Sequence, residues 1–242
     1  MRPPWRSCST GSSGHCSAGP DRVRRRAVSP EPAAPKRWLA LGDSYTIGEG
    51  VAESERWPSQ LSMLLADAGV VAAAPEVLAT TGWTSDELLA AMSQADLVGP
   101  FDWLCLLIGV NDQYRGRSVV EYGRTLRALH QRIDALVGGH AERVVVLSIP
   151  DWGRTPFAQS AQIQSQGRDP GRIALEIDGF NAHAQAEATA QGYAWLDITD
   201  LGRRHADDPS MRVADDLHPS ARMYALWAER LLPLALRALA TR

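Results

Sequence analysis

From Trp38 onward, short apolar runs alternate with segments whose apolar residues recur at helical spacing, and few folds accommodate that rhythm. Strands joined by helices pair in parallel, and a parallel sheet needs cover on both faces. The runs 37–41, 76–79, 102–108, 143–149 and 194–198 predict five strands. The helices between them are marked by their ends. Pro58 suits a first helical position, Leu61, Leu64, Leu65 and Ala68 follow at helical spacing, and Gly69 closes the segment. Thr84 with Glu87, and Ser118 with Glu121, have capping-box spacing. The second of these helices presents Leu126, Leu129, Ile133 and Leu136 on one stripe before Gly138 and Gly139 stop it. A further helix is expected over 172–190, ending at Gly192, and a last one starts at Pro219 and is kinked by Pro233. Together these elements predict one α/β domain: three layers, α/β/α, with a five-stranded parallel sheet in the flavodoxin-like order 2-1-3-4-5.

Charge separates this body from what precedes it. The net charge of -3 averages a segment 1–37, with eight Lys and Arg against Asp21 and Glu31, and a strongly acidic remainder. Residues 1–35 are dominated by Pro, Ser, Gly and Arg, which cannot bury enough surface to offset ordering, so they are expected to be a disordered basic leader ahead of a domain spanning 36–242. Arg24, Arg25 and Arg26 are not followed by the apolar run of a signal peptide, which points to a cytoplasmic location. The acidic body has no electrostatic reason to hold nucleic acid. Its one cysteine, Cys105, lies in an apolar run and supports neither a disulfide framework nor a four-ligand zinc site. No stretch offers the ~20 unbroken apolar residues of a membrane span.

Ligands of an open parallel sheet bind beyond the carboxyl ends of its strands. There the chain places Gly42-Asp43-Ser44-Tyr45 after the first strand, Thr80-Thr81-Gly82-Trp83 after the second and Gly109-Val110-Asn111-Asp112 after the third. Asp215-Asp216-Leu217-His218-Pro219 precedes the last helix. These are the parts that acyl transfer requires. A serine hydroxyl needs a base to take its proton, imidazole serves near neutral pH, and a carboxylate on the other ring nitrogen fixes the tautomer. Asp215 and His218 are three residues apart, so one turn can bring them together. The backbone N–H groups of Ser44 and Gly82 and the amide of Asn111 could receive the oxyanion, and glycine at 82 keeps a Cβ out of the way of substrate.

On these residues the chain resembles the SGNH hydrolases, the GDSL-type lipases and esterases. The resemblance rests on Gly42-Asp43-Ser44, Gly82, Gly109-Val110-Asn111-Asp112 and Asp215-Asp216-Leu217-His218-Pro219, in that family's order. It implies Ser44 as nucleophile, Asp215 and His218 as acid and base, Gly82 and Asn111 with Ser44 as oxyanion hole, and a cofactor-free, metal-free hydrolysis of esters through an acyl-serine. Tyr45 stands where the family's motif has leucine, which leaves the nucleophile intact and alters the packing behind it.

Taken singly, each motif has a plainer reading as a turn or a helix cap; their conjunction at successive strand ends favours the enzyme. Asp112 is read as a loop-stabilising carboxylate and Asp216 as an exposed loop charge. The segment 151–169 is too long for a minimal connection and is expected to form a wall of the site. Trp152 and Phe157, with Trp83, are its candidate substrate-binding residues, and a small-molecule ester with a short acyl group is the candidate substrate. Acyl transfer to an alcohol other than water would use the same machinery, and a non-catalytic carbonyl- or sugar-binding module on the same fold is the rival outside enzymes. A phosphate-loop protein is disfavoured, because the residues after Gly42 lack Gly-Lys-Ser/Thr. The oligomeric state is left open.

Overall fold

The computed structural model describes residues 34–240; the expectation of a disordered leader over 1–35 falls almost wholly outside them. In chain order the strands are β1 (Trp38–Gly42), β2 (Glu76–Ala79), β3 (Trp103–Leu107), β4 (Val144–Leu147) and β5 (Ala194–Leu196). The helices are α1 (Ser44–Ile47), α2 (Trp57–Asp67), α3 (Ser85–Gln94), α4 (Val110–Tyr114), α5 (Val119–Leu136), α6 (Ala161–Ser165), α7 (Pro170–Gln191), α8 (Thr199–Arg204) and α9 (Ala221–Ala240). Every strand pair is parallel and the order is β2-β1-β3-β4-β5, as the alternation predicts. The central strands β1, β3 and β4 are wholly buried, which is why they read as unbroken apolar runs, while the edge strands β2 and β5 are half-buried.

Helix α2 packs on α9 at one face, and α5 packs between α3 and α7 at the other. Side chains alternate along β1, so Trp38, Ala40 and Gly42 point one way. Trp38 meets Trp57 of α2 with ring centroids 6.3 Å apart and Trp103, its partner across the β1–β3 ladder, at 5.3 Å. The residues on that face then shrink toward the strand's carboxyl end. At Gly42 a Cβ would lie 2.2 Å from Thr46 Oγ1 and 2.5 Å from the carbonyl oxygen of Leu107. Absence of a side chain is thus what lets α1 turn back over the end of the sheet and set Ser44 there.

Both predicted capping boxes form, at Thr84–Glu87 and Ser118–Glu121, and α7 ends at Gly192 with φ +77°. One expectation changes. The last helix begins at Ala221, because Pro219 bridges Arg212 in an isolated antiparallel pair and the backbone carbonyl of Ser220 accepts from Tyr224. The segment 151–169, expected to form a wall of the site, folds into two short 3₁₀ turns, Trp152–Arg154 and Pro156–Gln159, followed by α6. Among the described residues no helix is long and apolar enough to cross a membrane.

Gly42→Ala should lower the urea midpoint of unfolding, because overpacking against backbone costs about 1–3 kcal/mol. An unchanged midpoint would show that α1 can move away from β1 at no cost.

Candidate active site

Four segments converge at the carboxyl ends of β1, β2 and β3. The first is the turn into α1, capped by Asp43, whose Oδ1 accepts the N–H of Tyr45 at 3.0 Å. This puts Ser44 at the first position of the helix, nearly buried, with its side chain at the cavity. Tyr45 turns inward, its ring 5.6 Å from that of His218 and 6.2 Å from that of Trp227. The residue that departs from the family's leucine thus backs the imidazole.

The second segment carries Gly82, with φ +86° and no protein atom within 4 Å of where a Cβ would stand. Backbone conformation, rather than crowding by the protein, is what calls for glycine here, and the open space faces the cavity that Gly82 lines. The third is α4, entered through Gly109 at φ +126°, where a Cβ would meet Tyr122 and Ile149 below 3 Å. From α4, Asn111 Nδ2 donates to the Trp83 carbonyl at 2.9 Å. Asp112, fully buried, accepts from the backbone N–H and hydroxyl of Ser85, both at 2.8 Å, and from Arg117 at 3.2 Å. Asp112 therefore ties the third loop to the start of α3, the structural role read from sequence.

The fourth segment holds Asp215 and His218. Asp215 Oδ1 accepts the backbone N–H groups of Leu217 at 2.8 Å and His218 at 2.9 Å, and its Oδ2 lies 2.6 Å from His218 Nδ1. An ionised carboxylate only accepts, so Nδ1 carries a proton, and in the neutral ring Nε2 then presents the lone pair. Burial opposes ionisation of Asp215, but the hydrogen bonds from the His218 ring and from two backbone N–H groups outweigh it and hold the carboxyl below its ordinary range. Asp216 adopts φ +61°, and its carbonyl accepts the N–H of Phe157 at 3.3 Å. The loop that bears His218 is thereby bonded to the wall-forming segment, a link that the reading of Asp216 as a loop charge missed.

Ser44, Gly82, Asn111 and His218 line one cavity of about 150 Å³, walled by Tyr45, Val110, Tyr114, Trp152, Phe157 and Leu217. Among the described residues the N–H groups of Ser44 and Gly82 have no acceptor, and Asn111 keeps a second amide N–H. No hydrogen bond joins the Ser44 hydroxyl to the imidazole among those residues; both residues line the cavity. Trp83, a candidate for substrate binding, is not in the lining and contributes its carbonyl to Asn111 instead. Trp152, by contrast, is fixed by a bond from its indole N–H to Gln113 Oε1 at 2.7 Å, and Gln113 donates to Glu176 at 2.7 Å. Gln113 carried no signal in the sequence.

A family model described as the GDSL-like Lipase/Acylhydrolase family matches residues 40–226. No curated protein sequence matches the chain. Among solved structures, the fold is similar to TesA, with a TM-score of 0.66 and 21% identity over 84% of this chain and 100% of that one. It is also similar to a lipase/acylhydrolase from Enterococcus faecalis, at 0.61 and 21% over 82% and 94%. The psychrotrophic esterase EstA from Pseudoalteromonas sp., in a structure inhibited by monoethylphosphonate, matches at 0.61 and 17% over 84% and 98%.

Asp43 yields a prediction. Burial pushes its carboxyl up to about 7 against the lowering by the Tyr45 N–H, and the charge of Asp112 adds to the rise. The folded chain holds that proton up to about pH 7, whereas the unfolded chain releases it near 3.8. Between those values the folded state binds more protons, so stability falls as pH rises, by up to ~1.4 kcal/mol per pH unit. Urea midpoints at pH 4.5 and 7.5 should drop more for the wild type than for Asp43→Asn, and equal drops would contradict the burial of an acid there.

Proposed function

The chain belongs to the GDSL-like lipase/acylhydrolase family, and from that premise we propose that it hydrolyses short-chain carboxylic esters through an acyl-serine on Ser44. The reading is carried by one observation: the imidazole bonded to Asp215 through Nδ1 opens onto the same cavity as Ser44. Nε2 of His218 takes the hydroxyl proton as Ser44 Oγ attacks the ester carbonyl, and Asp215 stabilises the imidazolium. The oxyanion is received by the N–H groups of Ser44 and Gly82 and by Asn111 Nδ2. Collapse of the intermediate expels the alcohol with the proton from His218. Water then repeats the sequence against the acyl-serine and regenerates the hydroxyl. Donors already fixed before reaction lower the barrier most, and loss of one costs roughly 2.7–4 kcal/mol.

The size and surface of the cavity support the choice of acyl group. An apolar cavity of about 150 Å³ is the size that holds benzene in an engineered protein core. Short linear or single-ring acyl groups fit that space against Trp152 and Phe157, whose rings pack on each other 6.2 Å apart. The catalytic unit in this proposal is residues 36–242. Phosphonate inhibition of the structurally similar EstA makes a fluorophosphonate the natural probe.

A fluorophosphonate should label Ser44, as peptide mapping would show, and Ser44→Ala and His218→Ala should abolish labelling and esterase activity. A folded wild-type chain that resists the probe would favour a binding module. For acyl preference, Trp152→Ala and Phe157→Ala should move the optimum among p-nitrophenyl esters to longer chains. An unchanged profile would remove both from the acyl wall.

A further inference from the structure

We propose that Arg115 is a positioning residue that holds the Gly82–Trp83 peptide, and through the Gly82 Cα the adjoining Gly82 N–H, in place for the oxyanion, an inference that rests on the acyl-serine reading above. The neighbours of Gly82 are tied elsewhere, the Thr81 hydroxyl to Glu49 and the Trp83 carbonyl to Asn111, but among the described residues Gly82 itself has no hydrogen bond besides the one from Arg115. No side chain packs within 4 Å of its Cβ position, its φ is +86°, and glycine is the residue with the widest conformational range. The turn that contains it is closed by a single backbone bond, Trp83 N–H to the Thr80 carbonyl, at 3.2 Å. Such a loop samples many orientations of its N–H unless something outside it bears on the peptide.

Arg115 does so from the end of α4. Its Nη2 donates to the Gly82 carbonyl at 2.7 Å, and its Nη1 donates to Glu87 Oε1 at 3.1 Å. Glu87 is itself held, since its other oxygen accepts the backbone N–H of Thr84 at 2.8 Å in the capping box of α3. The guanidinium is planar, so with one edge on a fixed carboxylate its second nitrogen has a fixed direction. The carbonyl of Gly82 is therefore anchored to the start of α3. With Asn111 holding the next carbonyl along, two consecutive peptides of the loop are pinned from α4. The Gly82 N–H belongs to the preceding Thr81–Gly82 peptide, which meets the anchored one at the Gly82 Cα, so fixing the carbonyl side limits how far that donor can turn before substrate arrives, at a position where misplacement by about 1 Å can cost up to about 10²-fold in rate.

Arg115 does little for the fold. Its side chain is 46% exposed, as is much of Glu87, and surface ion pairs of this kind add little to stability. Function and stability can thus be separated. In the full chain, Arg115→Met and Arg115→Lys are compared with wild type for kcat and KM on p-nitrophenyl butyrate, for inhibition by a short alkylboronic acid that forms a tetrahedral adduct, and for thermal midpoint. Ser44 labelling by a fluorophosphonate is followed in parallel. Arg115→Met is expected to lower kcat about tenfold or more with KM within about twofold, to weaken boronate inhibition in step, and to leave the midpoint nearly unchanged. Arg115→Lys, which keeps the charge but not the fork, should recover part of the loss. A kcat within about twofold of wild type in Arg115→Met, or a loss matched by an equal loss of folded protein, would overturn the role of Arg115. Absence of Ser44 labelling in the wild type would overturn the acyl-serine reading and this proposal with it.

Discussion

The site depends on one carboxylate serving two structures at once. Asp215 Oδ1 closes its own turn by accepting two backbone N–H groups, and Oδ2 accepts the imidazole. The first pair of bonds fixes where Oδ2 lies, and Oδ2 then fixes both the tautomer and the tilt of His218. Neither task can be separated from the other by substitution: an amide at 215 offers one acceptor oxygen, so either the turn or the ring loses its partner. The short spacing of Asp215 and His218 is what makes this economy possible. From the other side, the ring of Tyr45 limits where the imidazole can turn.

Loops from four parts of the chain would drift apart if each were held only by its own strand. Cross-links prevent this. Asn111 and Asp112 tie the loop after β3 to the loop after β2 and to α3, and the Phe157 N–H ties the wall segment to the turn at Asp216. Behind the wall, Trp152 is bonded to Gln113 and, through it, to Glu176 on α7. Arg168 stacks over Tyr114 at 4.8 Å. The cavity wall is thus referenced to α4 and α7, rigid elements, even though it belongs to a connecting segment.

What could be read from the sequence follows from how local each signal is. Strands β1, β3 and β4 were legible because two-sided burial makes them uniformly apolar, and the capping boxes because both partners lie within four residues. Helices α1, α4 and α8 escaped, being too short to show a period. Pro219 misled because proline favours a bridge at a strand edge as readily as a helix start. The chemistry-bearing residues stood out by type at strand ends. Their supports did not, because Gln113 with Trp152, Arg115 with Gly82 and Phe157 with Asp216 are joined by tertiary packing alone, and no composition or spacing marks such pairs.

Carboxylates near an oxyanion would oppose it, yet this site contains three, and their surroundings treat them differently. Asp43, next to Ser44, is pushed up to about 7 mainly by burial, so it is largely uncharged on the acid side of neutrality. Burial also raises Asp112, though the Ser85 N–H and hydroxyl and then Arg117 counter it, so whatever charge it carries is spread into donors that face away from the cavity. Asp215 is held ionised by the hydrogen bonds it accepts, and in the proposed mechanism its negative charge is the one that faces the imidazolium. Environments that push like groups apart in this way separate their roles. In that proposed mechanism, ionisation of Asp43 above neutrality puts a negative charge beside the nucleophile that works against the developing oxyanion. The alkaline limb of the proposed activity is therefore set from inside the fold, by the residue that caps the helix carrying Ser44.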